Sequence, residues 1–282
     1  MIKPIRNISI GAVVIAVLYV GVCVYMWATQ RDHLYEPGLL LQTTPDRMGM
    51  KFEELYIPVG SGAGQGELHA WWVPAEQPNA PTFLYLHGNA SNIGHNLEQS
   101  LRLHNLGYNV LVSDYRGYGK SSGGSPSETK MYEDAEAVWQ YLAKIRGVNP
   151  RQIFIYGHSL GAAIAVDLAI HHPDAAGLIT ESGFTSMAEM GKRSYPYLPV
   201  DWILHERFEA RNKIAYIKIP VLLIHGTWDK KVPVEMAKQL YAAAPQPKTL
   251  TLIEGGEHSN SGAVGWTEYR DVITAFVNKY AH

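Results

Sequence analysis

The pentapeptide Gly157-His158-Ser159-Leu160-Gly161 constrains the fold of this chain more than any other segment. It lies between the apolar run 153–156, typical of a buried strand, and the run 162–170, typical of a helix. A serine at so sharp a strand-to-helix bend needs small residues two positions before and after it, and glycine occupies both. The pattern predicts that Ser159 is a nucleophile at one edge of a sheet. The alternative is that Ser159 only caps the helix.

Two downstream residues complete the set that a nucleophilic serine requires. Asp229 follows the short apolar strand 221–225 and a glycine loop, and His258 lies in a glycine-containing loop after the apolar run 250–253. A histidine accepts the serine proton, and a carboxylate orients that histidine. We therefore predict a triad of Ser159, Asp229 and His258, in the chain order expected of a sheet whose strands alternate with helices.

Three other acidic residues lie near these motifs and could be considered for the role of the acid. Glu181 ends the predicted strand 177–180 and is the alternative acid, because that position also faces the edge where Ser159 is expected. Asp114 ends another apolar strand and is predicted to be structural, ordering its own loop or pairing with a neighbour such as Arg116. Glu257 adjoins His258, but adjacent side chains in an extended loop point apart.

The turn His87-Gly88-Asn89 follows a buried strand, 83–86, and is directed toward the same sheet edge as Ser159. The backbone N–H groups of Asn89 and Leu160 are therefore predicted to form an oxyanion hole. The alternative is an ordinary glycine turn.

Five motifs occur together in order: Leu86-His87-Gly88-Asn89-Ala90-Ser91-Asn92, Asp114-Tyr115-Arg116-Gly117-Tyr118-Gly119-Lys120-Ser121, Gly157-His158-Ser159-Leu160-Gly161, Tyr195-Pro196-Tyr197-Leu198-Pro199-Val200 and His225-Gly226-Thr227-Trp228-Asp229. Across about residues 50 to 280 the chain resembles the α/β-hydrolase superfamily, and within it the membrane-anchored Bem46-like group and α/β-hydrolase domain proteins 13 and 17. The resemblance implies the same triad and oxyanion turn. Similarity to depalmitoylating relatives also implies long-chain thioesters as substrates, although this N-terminus lacks the lipidated cysteines of those relatives.

The N-terminal segment predicts a membrane anchor. No charged residue lies between Arg6 and Arg31, and residues 8–28 are almost wholly apolar, which is the length needed to cross a bilayer. Lys3 and Arg6 before the span predict a single-pass protein with a cytoplasmic N-terminus and an extracytoplasmic catalytic domain. A cleaved signal peptide is the alternative. We divide the chain into an anchor (1–30), a juxtamembrane linker (31–50) and a catalytic domain (51–282).

The predicted fold class is α/β, with a mainly parallel central sheet flanked by helices. Two strands without an intervening helix, near 54–58 and 68–73, predict an antiparallel hairpin at its start. The segment 184–218 is predicted to be a small helical lid whose apolar side chains bind substrate, chiefly Tyr195, Tyr197, Leu198 and Trp202. The alternative is that these side chains pack on the sheet.

Composition excludes several functions. The formal charge of −2 and the absence of a basic stripe argue against nucleic acid. Cys23 is the only cysteine, which excludes a thiolate nucleophile or cluster in the catalytic domain, and the histidines lack metal-ligand spacing. We predict a serine hydrolase, without cofactor or metal, that cleaves a small-molecule acyl ester or thioester at a lipid bilayer. The alternatives are a peptidase or amidase of this fold and a non-catalytic membrane-tethered scaffold.

Overall fold

The computed structural model describes the backbone of residues 3–281 and the side chains of residues 10–281 apart from residue 63. Within that part of the chain, ten helices and ten strands are present. The strands are β1 (Glu36–Pro37), β2 (Glu53–Val59), β3 (Gly66–Val73), β4 (Thr82–Leu86), β5 (Ala90–Ser91), β6 (Asn109–Ser113), β7 (Ile153–His158), β8 (Gly177–Glu181), β9 (Val221–Gly226) and β10 (Lys248–Ile253).

One helix precedes all of the strands, and the other nine that the structure describes follow β5 along the chain. The helices are α1 (Lys3–Leu34), α2 (Leu97–Asn105), α3 (Glu128–Gln140), α4 (Leu160–His171), α5 (Met187–Ser194), α6 (Val200–Ile203), α7 (Ala210–Ile214), α8 (Val234–Ala243), α9 (Ser261–Val264) and α10 (Trp266–Tyr280). Short 3₁₀ turns occur at Pro45–Met48, Gly62–Gly64 and Pro150–Gln152, and a π-helical turn, Tyr141–Ile145, extends α3.

Eight strands form the main sheet in the order β10-β9-β8-β7-β4-β6-β3-β2. All pairs from β6 to β10 are parallel, whereas β3 is antiparallel to both of its neighbours, β2 and β6. The predicted opening hairpin and mainly parallel sheet are confirmed. Parallel strands covered on both faces read as continuous apolar runs, and β4, β7, β8 and β9 are buried throughout.

Two apolar clusters lie on opposite faces of the sheet. One cluster joins α3, α4 and α8 to residues such as Leu84 and Ile155, and the other joins α2 and α10 to their neighbours Phe83 and Phe154. Alternate residues of each strand contribute to opposite clusters because successive side chains point to opposite faces. The loops after β4, β7, β9 and β10 are therefore held at one edge of a rigid three-layer scaffold.

The first helix, α1, is long enough and apolar enough over Ile10–Leu34 to cross a membrane, by length and composition. An apolar helix this close to the N-terminus is also compatible with a signal sequence. The orientation prediction depends on Lys3 and Arg6, whose side chains lie outside the described part of the chain.

Residues 31–50, predicted to be a linker, carry more structure than a linker needs. Helix α1 continues to Leu34, and Tyr35 is buried in the core. Strand β1 pairs in parallel with β5 to form a separate two-stranded sheet, and the Gly38 N–H donates to the Ser91 carbonyl at 2.9 Å. Because these contacts are made by the backbone, no periodicity of side chains predicts them.

The predicted insert 184–218 contains three helices, α5, α6 and α7, between β8 and β9. Its base is buried through residues such as Phe184, Phe208 and Ile214, so that part packs on the sheet side of the core. The part around α6 instead extends along α1. The insert is thus both a packed connection and a protruding lobe.

Candidate active site

Ser159 lies at a strained turn between β7 and α4. Its backbone has φ +54° and ψ −115°, a conformation that L-residues rarely adopt. The two flanking glycines allow the turn, because a Cβ on Gly157 would collide with the carbonyl of Gly161 and a Cβ on Gly161 would collide with the carbonyl of Leu86. The Ser159 side chain makes no helix-capping hydrogen bond. The geometry is therefore that of a strained strand-to-helix turn and not of a helix cap.

The three residues predicted to form the triad meet at the C-terminal edge of the sheet. The Ser159 Oγ lies 2.9 Å from Nε2 of His258, and Nδ1 of His258 lies 2.8 Å from Oδ2 of Asp229. The side chain of Asp229 is fully buried, whereas that of His258 is 15 % exposed. One imidazole therefore bridges a buried carboxylate and a hydroxyl, which is the geometry needed to take a proton from the hydroxyl.

Backbone donors hold Asp229 in place. Its Oδ1 accepts the N–H groups of Lys231 at 2.9 Å and Val232 at 2.8 Å, which leaves Oδ2 for His258. Burial by itself raises the pKa of the Asp229 carboxyl, but the hydrogen bond and charge of His258 and the Val232 N–H outweigh it, so the pKa is lowered. The carboxylate is thus kept ionised beside the imidazole.

Two further side chains position His258 through hydrogen bonds that the sequence did not predict. Nε2 of His158 lies 2.8 Å from the His258 carbonyl oxygen, and the Ser182 hydroxyl donates to the same oxygen at 3.0 Å. Burial chiefly lowers the pKa of His158, so its ring is neutral and donates through Nε2. His158 occupies the variable slot of the Ser159 pentapeptide.

The side chains of Glu181 and Asp114 do not bond His258. Glu181 is buried and accepts the Tyr156 hydroxyl at 2.5 Å, and only its backbone carbonyl reaches the site, where it accepts the Ser159 N–H at 2.9 Å. Asp114 is structural, as predicted, but it accepts the Ile93 N–H at 2.9 Å and is not the partner of Arg116. Arg116 pairs instead with Asp134, on a helix that the sequence could not place beside it.

The predicted oxyanion donors flank Ser159. Leu160 is the first residue of α4, and Gly88, next to Asn89, approaches the Ser159 side chain closely. Neither the Asn89 nor the Leu160 N–H donates a hydrogen bond to another described residue. The Asn89 side chain is held at both ends: its Nδ2 donates to the Leu34 carbonyl at 2.6 Å, and its Oδ1 accepts the Tyr118 hydroxyl at 3.0 Å.

The cavity at Ser159 is small and mainly polar. It has a volume of about 100 Å³, and beside the residues already described its walls include His95, Asn96, Gln99 and Lys231. No carboxylate is among the described residues that line it. Nor does the described part of the chain contain a cluster of three or more His, Cys, Asp or Glu residues arranged to hold a metal ion.

The four residues predicted to bind substrate do not line this cavity. Tyr195 and Leu198 line a separate apolar cavity of about 70 Å³ between α1 and the insert. Tyr197 and Trp202 are each 88 % exposed. This part of the insert lies beside α1, an arrangement that the sequence of the insert alone could not reveal.

Comparisons with known proteins identify the family of this chain. Residues 77–208 match the family model described as "Serine aminopeptidase, S33". The chain is 31 % identical to the α/β-hydrolase domain-containing protein WAV2 of Arabidopsis thaliana, over 84 % of this chain and 82 % of that protein. The chain belongs to the α/β-hydrolase family. It is a hydrolase by this membership, and the predicted fold class is confirmed.

Other members of the family extend the comparison. The chain is 33 % identical to the Mycobacterium tuberculosis protein Rv2307c over 99 % of this chain and 98 % of that one, so the similarity includes the N-terminal segment. It is 37 % identical to the lysophosphatidylserine lipase ABHD12 of Danio rerio over 64 % of this chain and 51 % of that protein. An esterase from Pyrococcus furiosus has the same fold, with a TM-score of 0.70 and 20 % identity over 88 % of this chain and 98 % of that one.

Proposed function

We propose that this α/β-hydrolase is a membrane-anchored serine hydrolase that cleaves carboxylic esters or thioesters of acyl, lipid-like substrates. The observation that carries the proposal is the continuous hydrogen-bonded chain from Ser159 through His258 to Asp229, with distances of 2.9 and 2.8 Å. A structural serine needs neither a strained backbone nor a histidine held by a buried carboxylate. We assign Ser159 as nucleophile, His258 as general base and Asp229 as the orienting acid.

The reaction proceeds in two steps. His258 removes the proton of the Ser159 hydroxyl while Oγ attacks the substrate carbonyl carbon, and the same proton then passes to the leaving alcohol or thiol. Water repeats the attack on the acyl-enzyme with His258 again as base, and His258 then returns the proton to Ser159 Oγ as the bond to the acyl carbon breaks and the carboxylic acid leaves. Asp229 stabilises the imidazolium formed in each step.

The Asn89 and Leu160 N–H groups are assigned to bind the oxyanion of both tetrahedral intermediates. Neither N–H donates to another described residue, so both are free to do so. The N-terminus of α4 adds a favourable dipole at the same point. Removal of one such donor typically costs about 2.7–4 kcal/mol of transition-state stabilisation, comparable to a catalytic side chain.

The small cavity at Ser159 favours a lipid-like ester over a peptide. An aminopeptidase needs a carboxylate to pair with the substrate's α-ammonium group, and the described lining of that cavity offers the cation Lys231, whereas Glu257 lines the neighbouring cavity on the other side of His258. That cation suits a polar or anionic leaving group, in keeping with the name of the lysophosphatidylserine lipase that resembles this chain. The apolar cavity beside α1 adjoins the site through Leu34, which bonds Asn89. It suits an aliphatic chain.

A peptidase is the second candidate, because the matching family model is described as a serine aminopeptidase. The two candidates differ in substrate: the esterase hydrolyses acyl esters and thioesters with a preference for chain length, and the peptidase releases N-terminal residues from short peptides. We further propose that α1 anchors the protein with its N-terminus in the cytoplasm and a catalytic domain at 51–282 on the other side.

Covalent labelling tests the proposed nucleophile. The full chain in detergent is treated with a fluorophosphonate probe and analysed by intact mass, beside Ser159→Ala and His258→Ala variants and the control Ser125→Ala, an exposed serine away from the site. We expect one adduct in the wild type and control and none in the two triad variants. A folded wild type without an adduct contradicts the serine mechanism and favours a scaffold role.

A further inference from the structure

Helix α1 stands away from the rest of the protein over most of its length. Its apolar side chains between residues 10 and 27 are largely exposed, among them Ile15 at 69 %, Val17 at 65 % and Leu18 at 64 %. Apolar surface of this extent requires an apolar environment, which for a helix of this length is the bilayer. Any segment that packs beside α1 between residues 10 and 27 therefore lies in the same apolar environment.

The insert packs beside α1 both near the C-terminal end of the helix and closer to its middle. The Gln30 side chain donates to the Ile203 carbonyl at 3.2 Å, the ring of Trp27 lies 5.2 Å from that of His205, and the Tyr19 hydroxyl donates to the Tyr197 carbonyl at 2.8 Å. At about 1.5 Å per residue, Tyr19 lies roughly 16 Å from Gln30, toward the N-terminus of the helix, and about 22 Å from Leu34. The insert therefore reaches the middle of the apolar span.

The composition of this part of the insert suits immersion in lipid. The segment 195–200, Tyr-Pro-Tyr-Leu-Pro-Val, contains no charged residue, and Tyr197 and Trp202 direct 88 % of their surface outward. Charged residues flank the segment at both ends: Lys192 and Asp201 pair with each other at 2.7 Å and are about half exposed, and Arg193 is exposed. Lys192 and Arg193 lie on α5 before the segment, and Asp201 lies on α6 after it. Tyrosine and tryptophan are also the residues that membrane interfaces favour.

We propose that this insert tip, residues 195–200 together with the exposed ring of Trp202, is a lipid-contacting surface immersed in the same leaflet as the C-terminal half of α1. Its partner is the bilayer itself. The proposal rests on the proposed anchoring by α1 and adds to it: the protein contacts hydrocarbon through a second element that is far from α1 in sequence. The lobe and the helix then enter the membrane side by side, joined by the contacts of Tyr19, Trp27 and Gln30.

Depth-dependent fluorescence quenching tests this surface in the full chain reconstituted into phosphatidylcholine vesicles. In a Cys23→Ser background, Tyr197→Cys carries an environment-sensitive nitrobenzoxadiazole label. Tyr216→Cys is the matched control, because Tyr216 is a tyrosine of the same insert that is 72 % exposed and has no contact with α1 among the described hydrogen bonds and ring pairs. The native Cys23 labelled in the wild type reports on α1 itself.

We expect nitroxide groups on the lipid acyl chains to quench the label at 197 and at Cys23 several-fold more than the label at 216, and aqueous iodide to show the opposite order. Quenching by lipid at Cys23 but not at 197 overturns the proposal and leaves the anchor intact. Lack of lipid quenching at both positions overturns the anchor as well. A label at 197 shielded from lipid and iodide alike indicates a second copy or another protein, which also overturns the proposal.

Discussion

The carbonyl oxygen of Leu34, the last residue of α1, accepts a hydrogen bond of 2.6 Å from Nδ2 of Asn89. Asn89 carries one of the N–H groups assigned to the oxyanion hole, so the end of the apolar helix touches the proposed catalytic machinery directly. Strand β1 reinforces the contact by pairing with β5, which follows Asn89. The orientation of the oxyanion turn thus depends on residues that precede the core of the hydrolase fold.

The first prediction concerns the Asn89 side chain. Asn89→Ala retains the backbone N–H but loses the hydrogen bonds to Leu34 and Tyr118. We expect kcat toward an activated acyl ester to fall about tenfold, equivalent to ~1.4 kcal/mol, with little change in KM. Tyr118→Phe removes one of the two bonds and should give a smaller loss of the same kind. The control, exposed Asn105→Ala, should match the wild type, and an equal loss there would contradict the prediction.

The second prediction distinguishes the two candidate acids. Asp229→Asn removes the charge that orients His258, and a loss of about 10⁴ in kcat is expected for such a change. Glu181→Gln alters a buried carboxylate that bonds Tyr156 and not His258, so activity should fall far less even where thermal stability drops. Steady-state kinetics of both variants, compared with exposed Asp174→Asn, decide the assignment. The reverse order of losses would move the acid to Glu181.

The third prediction concerns the support of His258. Ser182→Ala removes one of two donors to the His258 carbonyl and leaves the His158 bond in place. Loss of a hydrogen bond of this kind costs about 1 kcal/mol, which corresponds to a decrease of roughly fivefold in kcat. The rate of fluorophosphonate labelling should fall in parallel, because it also depends on the base. A variant with lower stability but an unchanged labelling rate would show that Ser182 is only structural.

The fourth prediction concerns pH. Glu206 is nearly buried and accepts hydrogen bonds from Tyr35, Arg31 and the Glu128 N–H. Burial by itself raises its pKa, but these donors outweigh burial and lower it below 4.5. A lowered folded pKa means that the stabilisation is complete above pH 4.5 and is lost as the pH falls through the folded value. The thermal midpoint of the full chain should drop on acidification below pH 4.5, and Glu206→Gln should make that drop smaller, while the part due to other carboxyls of lowered pKa, such as Asp229, remains.

Much of the sheet and of the site was predictable from the sequence. Strands β4, β7, β8 and β9 are continuous apolar runs bounded by glycine or polar residues. Such runs are typical of parallel strands that are buried on both faces of a sheet. The residues predicted for the triad follow three of the predicted strands, and parallel strands bring their following loops to one edge. The order of Ser159, Asp229 and His258 along the chain therefore sufficed to place them together.

What the sequence could not reveal was contact between distant, non-periodic segments. The hydrogen bonds of Leu34, Tyr35 and Gln30 with the oxyanion turn and the insert join residues whose spacing carries no pattern. The separation of Tyr197 and Trp202 from Ser159 has the same origin, because apolar character predicts burial against something but does not say what. The bond of His158 to the His258 carbonyl could not be predicted either, since a backbone carbonyl is present in every residue.

The contacts of Glu206 and Gln30 have a consequence for how proteins of this kind can change. Glu206 and the backbone of the insert bind α1, and α1 in turn bonds the oxyanion turn, so neither the insert nor the N-terminal helix can be replaced alone without loss of those bonds. An exchange of the insert between relatives would succeed only when the helix travels with it. Two segments separated by about 170 residues thus form one structural unit that has to be exchanged as a whole. A soluble version cut before Glu36 would lack half of that unit.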